Sequence, residues 1–519
     1  MKGTFVIGLD IGTTSTKAVV YGTDGVMKGI GSINYSLHVP RPSWAEQDPE
    51  AIFAAVIAAL REAIQAAGVQ ADEIAAIGFS TAMHSLIAVD ANGAPLTNSI
   101  TWADSRSFNQ AERLKREGAG IEIYRHTGTP IHPMSPLPKL MWVREEDPDT
   151  FRRAAKFVSI KEYVLYRLFG EYVVDHSIAS ATGLFDVKQL DWHEPALQTA
   201  GVTRDQLSTP VPTTHVLRGI KAPYAEEIGI HPDTPFVVGA SDGVLANLGV
   251  GAIERGQIAV TIGTSGAVRG VVDEPLTDEK GRTFCYVLTE NRWVIGGPTN
   301  NGGIALRWFR DQFGGEEAEA AKRRGVEAYD IMMEAAERVP AGAEGLLFLP
   351  YLSGERAPHW DSNARGSFFG AALHHKREHF IRAVFEGILF SVYHVELALR
   401  ELAGEAREIL ASGGFARAAG WRQMMADMFG YELLVPQTHE SSSFGAAVLA
   451  MHAIGLLERL EDVKRLVNVV GRHQPNQENT LVYQELFSVY ERVYANCARE
   501  FADLAAFQRK HVKASSEIK

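Results

Sequence analysis

The chain has 519 residues, 46% hydrophobic and 22% charged, with a formal net charge of -12. That length exceeds one core, so two domains are expected. The acidic balance, without basic runs interleaved with aromatics, excludes a nucleic-acid surface. Cys285 and Cys497 are too few for a disulfide framework and lack metal-ligand spacing. Each reads as a small core residue of a cytoplasmic protein. Met1-Lys2-Gly3 runs straight into a strand and is not a secretory signal. No apolar run is long enough to span a bilayer, so no membrane partner is expected.

Phe5 to Tyr21 predicts a β-hairpin with Gly12-Thr13-Thr14-Ser15 at its tip. Amides in a tight turn form a concavity for anions, and the hydroxyls add donors. Lys17 supplies a cation, and Asp10 an acid suited to magnesium through oxygen and water ligands. An ordinary edge hairpin would use the same residues for its turn alone. Asp48-Pro49-Glu50 opens a helix whose inward face is Phe53, Val56, Ile57, Leu60 and Ile64, closed by Gly68. Ile74 to Phe79 is a buried strand, and Met83 and His84 follow its carboxyl end, where α/β sheets bind ligands. His84 is equally a turn histidine.

Within Ile100-Thr-Trp-Ala-Asp-Ser-Arg106, Asp104 and Arg106 either pair with each other or present the Arg fork to a hydroxyl-rich or anionic substrate. Thr127-Gly-Thr-Pro-Ile-His-Pro-Met134 is a loop too apolar for a linker, with a helix from Lys139. Phe157 to Thr214 carries no readable chemistry. Thr234 to Ala240 is a strand leading into a helix at Ser241. Asp242 sits at that seam and either caps the helix or, with Ser241 capping instead, faces a cleft. Gly239-Ala-Ser-Asp-Gly243 also fits a serine hydrolase nucleophile elbow using Ser241.

Gln257 to Arg269 repeats the first hairpin around Gly263-Thr264-Ser265-Gly266. Leu9 to Ser15 aligns with Val260 to Gly266, and Asp10 answers to Thr261. Two such turns suggest related halves facing one polyphosphate. Gly296 to Gly303 feeds a helix from Ile304, an entrance suited to phosphate or ribose. Glu344 to Pro350 predicts a strand. His379 to Arg400 predicts a long helix with Phe385, Ile388, Leu389, Val392 and Val395 inward. Glu408 to Ser412 is a strand ending in Gly413-Gly414, the candidate for approach to an adenine ring, with a helix from about Trp421. Leu486, Val489, Val493, Cys497, Phe501 and Leu504 predict one core-facing helix stripe, and residues from about Lys510 are expected to fray.

Taken together, these stretches resemble the FGGY family of carbohydrate kinases. Asp10 to Lys17 and Thr261 to Gly266 are similar to its two phosphate motifs, and Ser412-Gly-Gly-Phe415 to its adenosine motif. Met134 to Glu146 and Gly366 to Glu386 are similar to its two signature segments. The resemblance implies two duplicated actin-like, hexokinase-like (ribonuclease H-like) α/β domains around a central cleft. Residues 1–250 would carry the sugar site and the base, and 251–519 the second hairpin and adenosine.

By resemblance Asp242 is the catalytic base, and ATP and Mg2+ are the cofactors. Gly12, Thr13, Thr14, Ser15, Lys17, Gly263, Thr264, Gly303, Arg307, Gly413, Gly414 and Ala418 would hold the nucleotide, and Asp10 with Asp242 the metal. Met83, His84, Asp104, Arg106, His132, Met134 and Asp242 would bind substrate. Segments around Met83, Arg106 and His132 look most like the family's gluconokinase branch. The implied reaction converts D-gluconate and ATP to 6-phospho-D-gluconate and ADP, with a xylulokinase or another pentulose or polyol kinase as the alternative. His84, Arg106, His132 and Lys139 are the cations open to facing the carboxylate. A homodimer is an open option.

Overall fold

The hairpin at the amino end sets the register of everything that follows. Strand β1 (Phe5–Ile11) turns at Gly12, whose amide donates to Ser15 O at 3.0 Å, into antiparallel β2 (Ser15–Gly22) and β3 (Met27–Asn34). Helix α1 (Pro49–Ala67) starts where Asp48 accepts the Glu50 amide and stops at Gly68, φ 66°. Strand β4 (Ile74–Thr81) lies parallel to β1. A short β5 (Val216–Leu217) precedes β6 (Phe236–Ser241), which runs parallel to β4 and passes into helix α2 (Asp242–Gly249). The six-stranded sheet has the order β5-β6-β4-β1-β2-β3.

The second half repeats the plan. Strands β7 (Gln257–Ile262), β8 (Gly266–Val272), β9 (Phe284–Thr289) and β10 (Arg292–Thr299) lead to helices α3 (Gly303–Phe313) and α4 (Arg377–Ala403). Then come β11 (Glu408–Ser412), α5 (Ala419–Phe429), β12 (Glu432–Pro436), α6 (Ser441–Ala453), β13 (Val469–His473) and α7 (Gln477–His511). The second sheet has the order β9-β10-β8-β7-β11-β12-β13, with β7, β11 and β12 parallel.

This computed structural model describes residues 4–437 and 440–511. Met1 to Gly3 and the tail beyond His511, read above as a non-signal start and a frayed end, lie outside the described residues. Two compact units emerge, each drawn from three stretches. The first holds Met1–Arg255, Gly270–Ile295 and Gln437–Asn468; the second holds Gly256–Arg269, Gly296–Pro436 and Val469–Lys519.

Strand alternation explains the layering of the first unit. Ile7, Leu9 and Ile11 enter the cluster built on α1, whereas Val6 enters the cluster built on α6. Helices thus cover both faces, as a parallel core requires. Helix α6 comes very close because glycines lie beneath it. A Cβ on Gly8 would sit 1.8 Å from Ser443 O, and one on Gly78 2.2 Å from Ala446 O.

Three expectations need correction. The C-terminal stripe holds at Val493 and Phe501, which are buried, but Leu486, Val489 and Cys497 are half-buried and Leu504 is exposed. Tyr483, Phe487, Tyr490 and Ala505 complete the inward face instead. Helix Pro136–Glu146 begins before Lys139, since proline suits a first turn. The strand expected over Glu344 to Pro350 narrows to Leu347–Leu349, because Ala343–Gly345 forms a 3-10 turn.

Candidate active site

Parallel pairing aligns three strand ends in the first unit. Asp10 is level with Ser80, and Ser80 with Ala240, which places Asp242 just past the same edge. Ser80 Oγ donates to Asp10 Oδ1 at 2.7 Å. Burial, and then the negative charge of Asp242, push the Asp10 carboxyl up to about 6; the Ser80 bond and Lys17 act against this. Asp242 Oδ1 accepts the Gly243 amide at 2.7 Å, and Ser442 Oγ donates to Asp242 O at 3.3 Å.

The expectation that Ser241 caps α2 fails. Ser241 occupies the cap position without a side-chain cap bond, and Ser177 Oγ donates to its hydroxyl at 3.1 Å. Its side chain is fully buried. A nucleophile elbow needs an exposed hydroxyl, so the hydrolase reading loses its one residue.

The first hairpin tip is tied down from below. Gln47 Nε2 donates to Thr13 O at 2.5 Å, Trp102 Nε1 to Thr13 Oγ1 at 2.8 Å, and Tyr35 OH to Gly12 O at 2.5 Å. Thr14 is exposed and Ser15 half-buried at the start of β2. Lys17 is the cross-strand partner of Asp10, and its ammonium pairs with Glu440 at 3.0 Å.

Beyond β4 the loops converge on one buried lysine. Lys139 Nζ donates to the carbonyls of His84, Thr101 and Met134, each at 2.7 Å. Burial pulls its ammonium down to about 7, while Asp104 opposes that. Three acceptors consume three N–H groups, so Lys139 organises the loops and does not face a ligand. His84 has φ 70°, a left-handed conformation costly for a non-glycine, and its Nδ1 lies 2.8 Å from Ala181 O.

Asp104 and Arg106 do pair. Arg106 Nε and Nη2 reach Asp104, and Nη2 also reaches Glu46 at 2.5 Å, with the guanidinium 3.6 Å over the Trp44 ring. Asp104 Oδ2 further accepts the Ala45 amide at 2.7 Å. His132 Nδ1 accepts the Met134 amide at 3.2 Å. Met134 is buried, and Met83 packs half-buried beside the α6 cluster.

In the second unit the three glycine-rich segments meet. Gly303 N donates to Gly263 O at 2.7 Å, and Ile304 N to Thr264 O at 3.1 Å, so the start of α3 rests on the second hairpin tip. Gly413, φ 91°, is the other neighbour: a Cβ there would lie 2.5 Å from Ile262 O. Thr261 and Ser412 hydroxyls are 2.8 Å apart. Gly263, Thr264, Arg307, Gly413 and Gly414 are exposed, and Ala418 is half-buried. Glu355, buried, takes the Asn300 amide at 2.5 Å and fixes the loop before α3.

The reading of Phe157 to Thr214 as chemically silent missed Lys161 and Asp175, a fully buried ion pair at 2.7 Å. The signal was a lone lysine among Ile160, Tyr163, Val164 and Leu165, all of them buried. Cys285 is buried and Cys497 half-buried, both free thiols. Among the described residues no helix is long and apolar enough to cross a membrane.

The FGGY family of carbohydrate kinases matches with its N-terminal domain over residues 5–249 and its C-terminal domain over 258–454. A gluconokinase of Bacillus licheniformis is 50% identical over 97% of this chain and 98% of its own. A xylulose kinase of Bacillus subtilis is 30% identical over 97% of this chain and 99% of its own. The crystal structure of gluconate kinase from Lactobacillus acidophilus superposes with a TM-score of 0.92 at 36% identity, covering 96% of this chain and 99% of that one. With both domain profiles satisfied in order on a two-unit α/β fold, the chain belongs to the FGGY family of carbohydrate kinases.

Proposed function

We propose that this chain transfers the γ-phosphoryl group of ATP to the terminal hydroxyl of D-gluconate, giving 6-phospho-D-gluconate and ADP. Full-length similarity to gluconokinases, higher than to a xylulose kinase, carries the substrate assignment. Asp242 is the base: its position just past the carboxyl edge of the sheet, level with Asp10, supports this. General-base help is worth on the order of 10²–10⁴-fold. Thr13, Thr14 and Thr264 hold phosphate oxygens, Gly303 and Arg307 contact the nucleotide, and Gly413, Gly414 and Ala418 take adenosine.

Two carboxylates at the same sheet edge, Asp10 raised in part by the charge of Asp242, form a hard-oxygen donor set that fits Mg2+. Asp10 and Asp242 would hold it, and when bound it supplies charge neutralisation at the phosphates. Lys17, engaged by Glu440, is left as a hairpin support. Of the four cations weighed above, Lys139 serves carbonyls and Arg106 serves carboxylates. His84, whose carbonyl Lys139 holds, and His132, in the loop that ends at the Lys139-bound Met134, are proposed to contact gluconate, with Met83 and Met134 shaping the pocket and the Asp104–Arg106 pair bracing it. The two free thiols and the absence of a spanning helix among the described residues support a cytoplasmic reading.

A coupled ADP-release assay across gluconate, xylulose, ribulose and glycerol tests the substrate. Faster turnover of xylulose than gluconate overturns it while leaving the base in place. Asp242→Asn should fold, bind ATP and lose at least about 10²-fold in kcat; retained turnover removes Asp242 from the role.

A further inference from the structure

Strand β6, which carries the proposed base, ends irregularly. Its pairing with β4 loses register between Val237 and Ala240. Gly239, inside that break, has φ 71°, and a Cβ there would lie 1.7 Å from Phe79 O. Bulges of this kind re-aim the residues that follow them. Here a single ammonium gathers the displaced carbonyls: Lys161 Nζ donates to Val238 O and Ala240 O, both at 3.0 Å.

The rest of the network extends the hold to Asp242's neighbour. The third N–H of Lys161 goes to Asp175 Oδ2 at 2.7 Å, and both side chains are fully buried. Asp175 Oδ1 accepts the Ile178 amide at 2.9 Å and so caps the helix His176–Ser180. From that helix Ser177 Oγ accepts the Ser241 amide and donates to the Ser241 hydroxyl, each at 3.1 Å. The backbone from Val238 to Ser241 is thus gripped by side chains from residues 161–177.

A buried ion pair often adds little net stability over an apolar pair of the same size. This one sits where a reactive carboxylate must be aimed. We infer that Lys161, braced by Asp175 and assisted by Ser177, is a positioning residue for phosphoryl transfer, holding the bulged end of β6 so that Asp242 meets the attacking hydroxyl. The inference rests on the assignment of Asp242 as base. Lys161 itself touches no reacting atom.

The test is steady-state kinetics of full-length Lys161→Met and Ser177→Ala beside Asp242→Asn, with folding checked by near-UV circular dichroism. A purely structural role lowers the melting temperature and leaves kcat per folded molecule untouched. Positioning instead predicts a kcat loss of about 10²-fold for Lys161→Met, the scale of an ångström-level misplacement. KM for ATP and gluconate should change by less than about threefold. Ser177→Ala, which leaves the ion pair in place, should lose roughly tenfold in kcat. Should Lys161→Met fail to fold, Ser177→Ala decides. Native kcat in a folded Lys161→Met, or in Ser177→Ala where that variant decides, overturns the inference, provided Asp242→Asn is inactive. Turnover in Asp242→Asn overturns the base assignment itself.

Discussion

Asp10, proposed above to hold the metal, shows what burying an acid beside another acid costs the fold. Its carboxyl is raised from 3.8 to about 6, first by burial and then by Asp242. The folded state therefore binds the proton more tightly than the unfolded one. Stability falls as pH rises from about 4 to about 6 and stays lowered above that. Asp10→Asn removes the penalty. Without nucleotide or metal it should melt higher than the parent near pH 7, by on the order of 1–3 kcal/mol, and show no gain near pH 4. The same variant should lose kinase activity. A variant less stable than the parent at neutral pH would contradict the reading of Asp10 as an acid whose charge the fold penalises. At this scale the sequence spoke clearly wherever a residue's job was local, as with Asp48 and Gly68 at the ends of α1. It was silent where partners lie far apart in the chain. Arg106 offered two readings; it pairs with Asp104, and Glu46 and Trp44, some sixty positions away, hold that pair in ways the local sequence does not show.

Among the elements, the two hairpins and the glycine pair after β11 were legible because turns demand particular residue types within a few positions. Helix α6 was not read at all, although Ser443 to Met451 are buried without interruption. A helix apolar on every side has no periodic face to detect; its meaning is burial on all sides. The glycines beneath it carry the complementary signal, which only the folded contacts explain. Gly8→Ala would drive a methyl to 1.8 Å from Ser443 O, backbone that cannot step aside. We expect a loss of at least about 2 kcal/mol in urea unfolding, the range of severe core overpacking. A loss below about 0.5 kcal/mol would show that α6 rides loosely on the sheet. The inward face of α7 was read only in part for a related reason: aliphatic and aromatic side chains offered two overlapping stripes, and hydropathy alone does not choose between them.

For the whole molecule, the decisive property is that the first compact unit is assembled from three separated stretches. The two family domains match on either side of residues 250–257, and that division does not enclose the unit. Residues 1–255 expressed alone would lack Phe444, Val448, Leu449 and Met451, which complete the cluster containing Val6 and Val237. The fragment should be poorly packed, with weak near-UV circular dichroism and rapid proteolysis. A version with 270–295 and 437–468 joined by short linkers should recover both signals. Cooperative folding of the shorter fragment would refute this. The interleaving also matters during synthesis. At ordinary translation rates the ribosome needs on the order of ten to forty seconds to pass from the end of the first stretch to α6. Throughout that interval one apolar side of the nascent sheet faces solvent, so this kinase is expected to lean on a chaperone that shields hydrophobic surface until its own late helix arrives.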